Sequence, residues 1–300
     1  METLDLTSLK NSVIKYEISK FPDGQQNIRI TSGPWDKAPI MIKSRLNSWT
    51  DLELIVCAVS AFRNKYSNEI KLYVPYLLGA RSDRAFEPNG VNYLKQVICP
   101  IINSLNLSEV ISLDPHSDVT EACINNFKRG DLWAFYHEIY ENEKKLIVET
   151  FLGPKEAIKK DLRNVVIVAP DAGAYKRAEK VAKQWGVKKL ITCNKVRDLK
   201  TGKITKTEVS LVGCKGKDFI LIDDICDGGR TFEEIAKVIK AKYPKAKITL
   251  VVTHGIFSKG HVDVDKIYTT NSCQNSNFMA GQVHASTIGI TDVFKGSVWY

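Results

Sequence analysis

The sequence predicts an α/β protein in two halves, each a mainly parallel sheet flanked by helices. Short apolar runs of strand type at Ile70–Val74, Val110–Leu113, Val165–Val168, Phe219–Ile222 and Ile248–Val252 alternate with helical spacing near Thr50–Asn64, Val91–Ser104, Tyr175–Trp185 and Phe232–Tyr243. That alternation is the pattern of parallel strands joined by helices. The chain's 300 residues suit one large domain or two of about 150. A seam fits the polar stretch from Asn125 to Arg163, which gives expected domains at 1–132 and 133–284, with a segment at about 285–300 packing back on the first. Finally, the residues of chemical interest follow the strand runs, and ligands in such sheets bind at the C-terminal ends of strands.

Composition narrows the function classes. At 44% hydrophobic and 26% charged residues the chain is an ordinary globular protein. No apolar run approaches the roughly 18 residues of a membrane span. The opening METLDLTSLKNSVIKYEISK lacks a basic region followed by an apolar core, so no secretory signal is read there. Cysteines 57, 99, 123, 193, 214, 226 and 273 are scattered without a CxxC pair, which fits a reducing cytoplasm rather than a disulfide framework or zinc site. A net charge of +9 favours polyanionic partners, nucleotides included. The basic residues form no arm or tail and accompany no nucleic-acid motif, so neither a nucleic-acid nor a membrane partner is expected.

In chain order, Phe21-Pro22-Asp23-Gly24-Gln25 reads as a turn between extended segments. After the Ile70–Val74 run, Arg81 and Arg84 flank Asp83 in a loop. Guanidinium forks match phosphate oxygens, although a surface salt-bridge loop has the same composition. Ser112 to Ser117 places His116 just past a strand, where a lone histidine ligates metal or simply caps and fills. Ala169-Pro170-Asp171-Ala172-Gly173 sets a carboxylate beside the start of a helix, as a ligand contact or a cap. Lys195 and Arg197 follow a strand and precede a polar stretch from Leu199 to Lys206, the setting of solvated surface or of cations on a flexible loop.

The densest chemistry lies in Lys217 to Glu234, KDFILIDDICDGGRTFEE. An apolar strand ends on Asp223 and Asp224, then Asp227-Gly228-Gly229-Arg230-Thr231 turns into a helix. A glycine turn feeding a helix N-terminus gathers backbone N–H groups that attract phosphate. The two aspartates suit sugar hydroxyls or Mg²⁺. A simple capped turn needs one acid, and this loop has three around two glycines.

This loop resembles the ribose-5-phosphate loop of phosphoribosyltransferase-type folds, and motifs from Phe21 to Ser272 together resemble the ribose-phosphate pyrophosphokinases. The resemblance implies two phosphoribosyltransferase-like (Rossmann-like) halves. It implies that Phe21, Asp23 and Gln25 contact the adenine of ATP in a neighbouring subunit, hence a homo-oligomer, dimer or hexamer. Arg81, Asp83, Arg84 and His116 would bind ATP, and His116 and Asp171 Mg²⁺. Asp171, Asp223, Asp224, Asp227, Gly228, Gly229, Arg230 and Thr231 would bind the ribose phosphate. Lys195 and Arg197 would act from a mobile catalytic flap. The chain departs from the family at Gln25, Ser82, Pro115 and a short segment before the Phe21 turn that looks trimmed. Thr253–Phe257 and Thr269–Ser272 also look like family segments, structural or ribose-proximal.

The implied reaction is Mg²⁺-dependent transfer of diphosphate from ATP to the anomeric hydroxyl of a ribose, with release of AMP. Family loops usually read Asp-Thr-x-Gly-Thr, whereas Gly228 here removes the first hydroxyl and Arg230 adds a cation. Ribose 5-phosphate and a 5′-extended ribose such as ADP-ribose, for NAD resynthesis, are both open as acceptor. A catalytically silent regulatory subunit is the alternative of another class, although its catalytic residues would be expected to be lost.

Overall fold

The structure, a computed structural model, describes residues 1–33, 38–65, 69–132, 135–140, 164–197, 204–214, 218–260, 262–273 and 288–294. The chain divides into two compact units, Met1–Leu132 with Val293–Tyr300, and Trp133–Asp292.

In the first unit the strands are β1 (Glu2–Asp5), β2 (Lys15–Lys20), β3 (Gln26–Ser32), β4 (Ile40–Lys43), β5 (Ile70–Tyr73), β6 (Glu109–Ser112) and β7 (Phe127–Arg129). Five of them form a parallel sheet in the order β1-β4-β5-β6-β7, and β2 and β3 form a separate antiparallel hairpin. Helix α1 (Trp49–Lys65) starts at a capping box, in which Asp51 N–H donates to Ser48 Oγ at 3.1 Å and Asp51 Oδ2 accepts from Ser48 N–H at 3.0 Å. Its Leu52, Ile55, Val59 and Phe62 recur at helical spacing and are buried with Leu4, Ile40, Ile42, Leu72 and Val110 of the sheet. Near the chain's end, Tyr73 Oη donates to the Val293 carbonyl at 2.9 Å, and the Phe294 ring meets Tyr73 edge-on at 6.0 Å.

The helix expected over Val91–Ser104 is shorter and irregular: Leu94–Ile98 forms a π turn, followed by α2 (Cys99–Ser104). Pro100 has no N–H to offer Gln96, and Cys99 N–H instead reaches back five residues to the Leu94 carbonyl. Helix α3 (Asp118–Cys123) follows β6.

The second unit holds helix α4 (135–140), β8 (Val165–Ala169), α5 (Tyr175–Trp185), β9 (Lys189–Arg197), β10 (Ile204–Val209), β11 (Asp218–Cys226), α6 (Arg230–Lys242), β12 (Lys247–Gly255), β13 (Lys266–Thr270) and β14 (Ile288–Thr291). Its seven-stranded sheet runs β10-β9-β8-β11-β12-β13-β14 and is parallel except for β10. Every residue of β8 is buried, as in strands covered on both faces. From α6, Phe232, Ile235, Ala236 and Ile239 join one apolar cluster with Val166, Val168, Phe219 and Leu221. Helix α5 packs on β8, β9 and β11. Among the described residues no helix is long and apolar enough to cross a membrane.

Candidate functional site

The strand order of the second unit reverses direction between β8 and β11: the chain steps outward from β8 to β9 on one side and from β11 to β12 on the other. A crevice at the C-terminal ends of the strands is expected at such a switch point. β11 pairs with β8 only as far as Leu221 opposite Val168, yet with β12 as far as Cys226 opposite Gly255. Asp223 and Asp224 therefore lie within a strand that extends to Cys226, rather than past the end of a strand closing at Ile222. The backbone of β12 still holds them there, while the side toward β8 has opened.

Arg177, on the first turn of α5, faces both carboxylates: its Nη1 lies 3.5 Å from Asp223 Oδ1 and 3.8 Å from Asp224 Oδ1. All three side chains are largely buried. Burial, then the charge of Asp224 and a hydrogen bond between the two carboxyls, raise Asp223 well above the ordinary carboxylate range; Arg177 and the Asp224 N–H, 2.9 Å from Asp223 Oδ1, pull it partly back. The two buried acids share the Arg177 guanidinium, and cations or hydroxyl donors are ligands that suit such a pair. On the same rim, Asp171 Oδ1 accepts from the Ala174 N–H at 3.2 Å, so the capping contact is made.

Beyond β11, Gly229 is the left-handed residue that starts α6, at φ +77°. The Phe232 and Glu233 N–H groups close on the Gly229 carbonyl at 2.9 and 3.2 Å. Earlier N–H groups of a helix lack intrahelical acceptors and are free to meet an anion. Arg230 Nε bonds Glu234 Oε1 at 2.8 Å with 81% of its side chain exposed, so this guanidinium is engaged along α6.

A second loop straps onto the first. The Ile256 and Phe257 N–H groups both donate to the Cys226 carbonyl, at 2.8 and 3.2 Å, and Ser258 N–H donates to the Asp227 carbonyl at 3.2 Å. Val262, buried, fills the space a side chain at Gly229 would need: a Cβ there would come within 2.8 Å of it. Lys259 lies over Gly228, its Cγ, Cδ and Cε all 3.3–3.5 Å from where a Cβ would stand. Farther back, the buried His254 Nδ1 meets Ser272 Oγ at 2.8 Å, and Thr270 Oγ1 donates to the Thr253 carbonyl at 2.6 Å, which ties the ends of β12 and β13 together.

In the first unit, the Phe21 turn closes the β2–β3 hairpin: Phe21 N–H donates to the Gln25 carbonyl at 2.8 Å, and Gln25 N–H to Asp23 Oδ1 at 3.2 Å. The Phe21 ring is 51% exposed at its tip. Arg81, Asp83 and Arg84 sit in the loop after β5, with the Arg84 guanidinium 5.4 Å from the centre of the Phe86 ring. Asn92 Nδ2 anchors that loop by donating to the Asp83 carbonyl at 2.6 Å. His116 is exposed just past β6.

A family model described as "Phosphoribosyl transferase domain" matches residues 137–286, half of the chain. The chain belongs to the phosphoribosyl transferase domain family. The matched region of this phosphoribosyl transferase domain contains the switch point, Arg177 and the Asp227–Thr231 loop. Beyond it, the chain is 27% identical over 235 residues to a ribose-phosphate pyrophosphokinase of Saccharolobus solfataricus, covering 75% of this chain and 72% of that one. It is 25% identical over 280 residues to the ribose-phosphate pyrophosphokinase of Thermococcus kodakarensis, covering 89% of each. A solved phosphoribosylpyrophosphate synthetase from Mycobacterium smegmatis superposes with a TM-score of 0.68 at 18% identity, over 95% of this chain and 88% of that one, a likeness of fold. The α/β fold of phosphoribosyltransferase type and the pyrophosphokinase resemblance expected from the loops both stand.

Within the phosphoribosyl transferase domain, the expected residues Asp171, Asp223, Asp224 and Asp227 to Thr231 come from the turn after β8, from β11 and the turn after it, and from the start of α6, at one end of the sheet. Lys195 and Arg197 differ from their expected loop setting. They are part of β9 and pair with Thr207 and Ile204 of β10, because the polar segment returns as an antiparallel strand. Residues 198–203, part of the expected flap region, lie outside the described residues. Sequence reasoning assigned no role to Arg177 or Lys259. Arg177 had a signal, six residues after Asp171 in the Pro-Asp-x-Gly segment; Lys259 had none, since only the strapping of two loops brings it over Gly228. Cys226 is fully buried, and burial followed by Asp223, Asp227 and Glu233 raises its thiol pKa, so it is a packing residue with no thiolate to offer.

Proposed function

We propose that the protein is a ribose-phosphate pyrophosphokinase that makes phosphoribosyl diphosphate from ATP and ribose 5-phosphate. The observation that supports this most is the buried acidic pair at the switch point followed by the Asp227–Thr231 turn. The ribose-phosphate pyrophosphokinases of Saccharolobus and Thermococcus, with matches over most of the chain, support the same reading. The anomeric hydroxyl of ribose attacks the β-phosphorus of ATP, the bond from that phosphorus to the bridging oxygen breaks, AMP leaves, and the hydroxyl proton is released. Arg81, Asp83, Arg84 and His116 bind ATP; Asp223, Asp224 and Asp171 take the ribose hydroxyls; Asp227 to Thr231 hold the 5′-phosphate. Lys195 and Arg197 stabilise charge on the group in transfer, since phosphoryl transfer rests mostly on positioning and electrostatics. Phe21, Asp23 and Gln25 reach the adenine of ATP in a neighbouring subunit, which makes a homo-oligomer, dimer or hexamer, the working assembly.

Mg²⁺ fits this donor set. Among the described residues no three His, Cys, Asp or Glu side chains group into a cage. Mg²⁺ in phosphoryl-transfer sites keeps waters and takes one or two protein ligands plus substrate phosphates. His116 and Asp171 are each offered as such a ligand, and the buried carboxylates Asp223 and Asp224 suit a cation as well. The ion would neutralise phosphate charge.

A second acceptor is favoured by one departure: Gly228 leaves the phosphate turn without the family's first threonine, and the Lys259 stem lies over it instead, a cation that suits a 5′-diphosphate such as that of ADP-ribose. Incubation with ATP and Mg²⁺, offering ribose 5-phosphate and ADP-ribose in parallel with mass detection, separates the readings. A diphosphate adduct of ribose 5-phosphate alone establishes phosphoribosyl diphosphate synthesis, and an adduct of ADP-ribose establishes the extended acceptor. No AMP with either acceptor refutes the enzyme and favours a silent regulatory subunit.

A further inference from the structure

We infer that Lys259 is a specificity-determining residue that engages the 5′-phosphoryl oxygens of the acceptor, in the place of the side chain that Gly228 lacks. The inference rests on the reading of Asp227–Thr231 as the acceptor's phosphate turn.

Three observations carry it. First, Gly228 does not have the left-handed φ of its neighbour Gly229, so its backbone does not require glycine. What a side chain there would meet is the Lys259 stem, with Cδ at 3.3 Å and Cε at 3.4 Å from the ideal Cβ position. Gly228 is thus the residue over which Lys259 fits. With Cε at 3.4 Å, one further C–N bond of about 1.5 Å keeps the ammonium within about 5 Å of that position.

Second, the lysine is held there by backbone. Its loop is bonded to the Cys226 and Asp227 carbonyls through Ile256, Phe257 and Ser258, and Gly260 N–H closes on the Phe257 carbonyl at 2.9 Å. Phe257 takes a left-handed φ of +48° while its ring is buried, and Val262 packs on Gly229. The strap and the phosphate turn therefore form one piece, which fixes where the Lys259 side chain starts beside the turn.

Third, Lys259 forms no ion pair or hydrogen bond among the described residues, although Arg230, the cation that the sequence nominated for this turn, is bonded to Glu234. An exposed ammonium beside a turn of unpaired helix N–H groups adds its charge to theirs, and a phosphoryl oxygen is the ligand that uses both.

The test compares the intact wild-type protein with Lys259→Met, which keeps the stem and drops the charge, and with Lys259→Arg. Calorimetric binding of ribose 5-phosphate and of ADP-ribose is read alongside steady-state turnover. Lys259→Met is expected to weaken binding and raise the acceptor KM about ten- to hundred-fold, the loss of one charge-assisted hydrogen bond, with the KM for ATP within about two-fold. Lys259→Arg is expected to retain most of the affinity. Gly228→Thr displaces the stem and is expected to cost no more when combined with Lys259→Met than alone. Equal acceptor binding by wild type and Lys259→Met overturns the inference, as does failure of the wild type to bind either acceptor. Binding that depends on Lys259 without AMP release from either acceptor refutes the pyrophosphokinase reading and leaves the phosphate contact standing.

Discussion

Gly228 and Gly229 are neighbours in one turn, and the structure predicts opposite consequences for adding a methyl group to each. At Gly229 the backbone is left-handed, φ +77°, and a Cβ would lie 2.8 Å from a Val262 methyl and 3.4 Å from the Val262 Cβ. The left-handed conformation costs a non-glycine residue about 1–2 kcal/mol, and overpacking a buried contact costs about 1–3 kcal/mol more. Gly229→Ala should therefore destabilise by about 2–5 kcal/mol. For a domain of this size each kcal/mol moves the melting temperature by about 2–4 °C, which gives a drop of about 4–20 °C. Gly228→Ala meets only the Lys259 stem at 3.3–3.5 Å, a flexible exposed side chain that moves aside, and should change stability by no more than about 0.5 kcal/mol. The assay is thermal unfolding of the ligand-free protein by calorimetry, with Val262→Ala as a third variant. In the Val262→Ala background Gly229→Ala should cost about 1–3 kcal/mol less, because the steric share disappears and the backbone share remains. Equal melting temperatures for the two glycine variants, or no coupling to Val262, would refute the strapped-loop geometry.

Two further outcomes concern the acidic pair. Asp223 has a folded pKa raised above its unfolded value, so the folded chain retains a proton that the unfolded chain loses, and stability falls as pH rises through that interval. Asp223→Asn removes this penalty: its melting temperature should match the wild type below the ordinary carboxylate pKa of about 4 and exceed it as pH rises above that, and a constant difference across the range would contradict the assignment. Arg177→Met leaves both acids without their guanidinium; since contacts of 3.5 and 3.8 Å are loose, the cost in urea unfolding should fall at or below the low end for broken buried pairs, about 2–3 kcal/mol, and should shrink in the Asp223→Asn background.

The α/β class and the position of the acid- and glycine-rich loop were legible in the residues alone, because both are written locally. Strand runs such as Val165–Val168 and helices such as Tyr175–Trp185 are set by apolar periodicity, and α5 spans the residues read for it. Asp223, Asp224 and the glycine turn were likewise legible from composition, since few structures need three acids around two glycines. Where local reading failed, a partner from elsewhere in the chain made the difference. β11 runs on through its two aspartates because β12 continues to hydrogen-bond it after β8 has ended. Lys195 and Arg197 lie in a strand because β10 folds back alongside them. Arg177 meets the acids only because α5 begins on the β8 side of the switch point. Lys259 reaches Gly228 only because the loop after β12 hydrogen-bonds to the one after β11. Residue types and short periodicities are properties of neighbours in sequence. Which cation faces which anion is decided by strand order and loop packing, which bring together residues far apart in the chain.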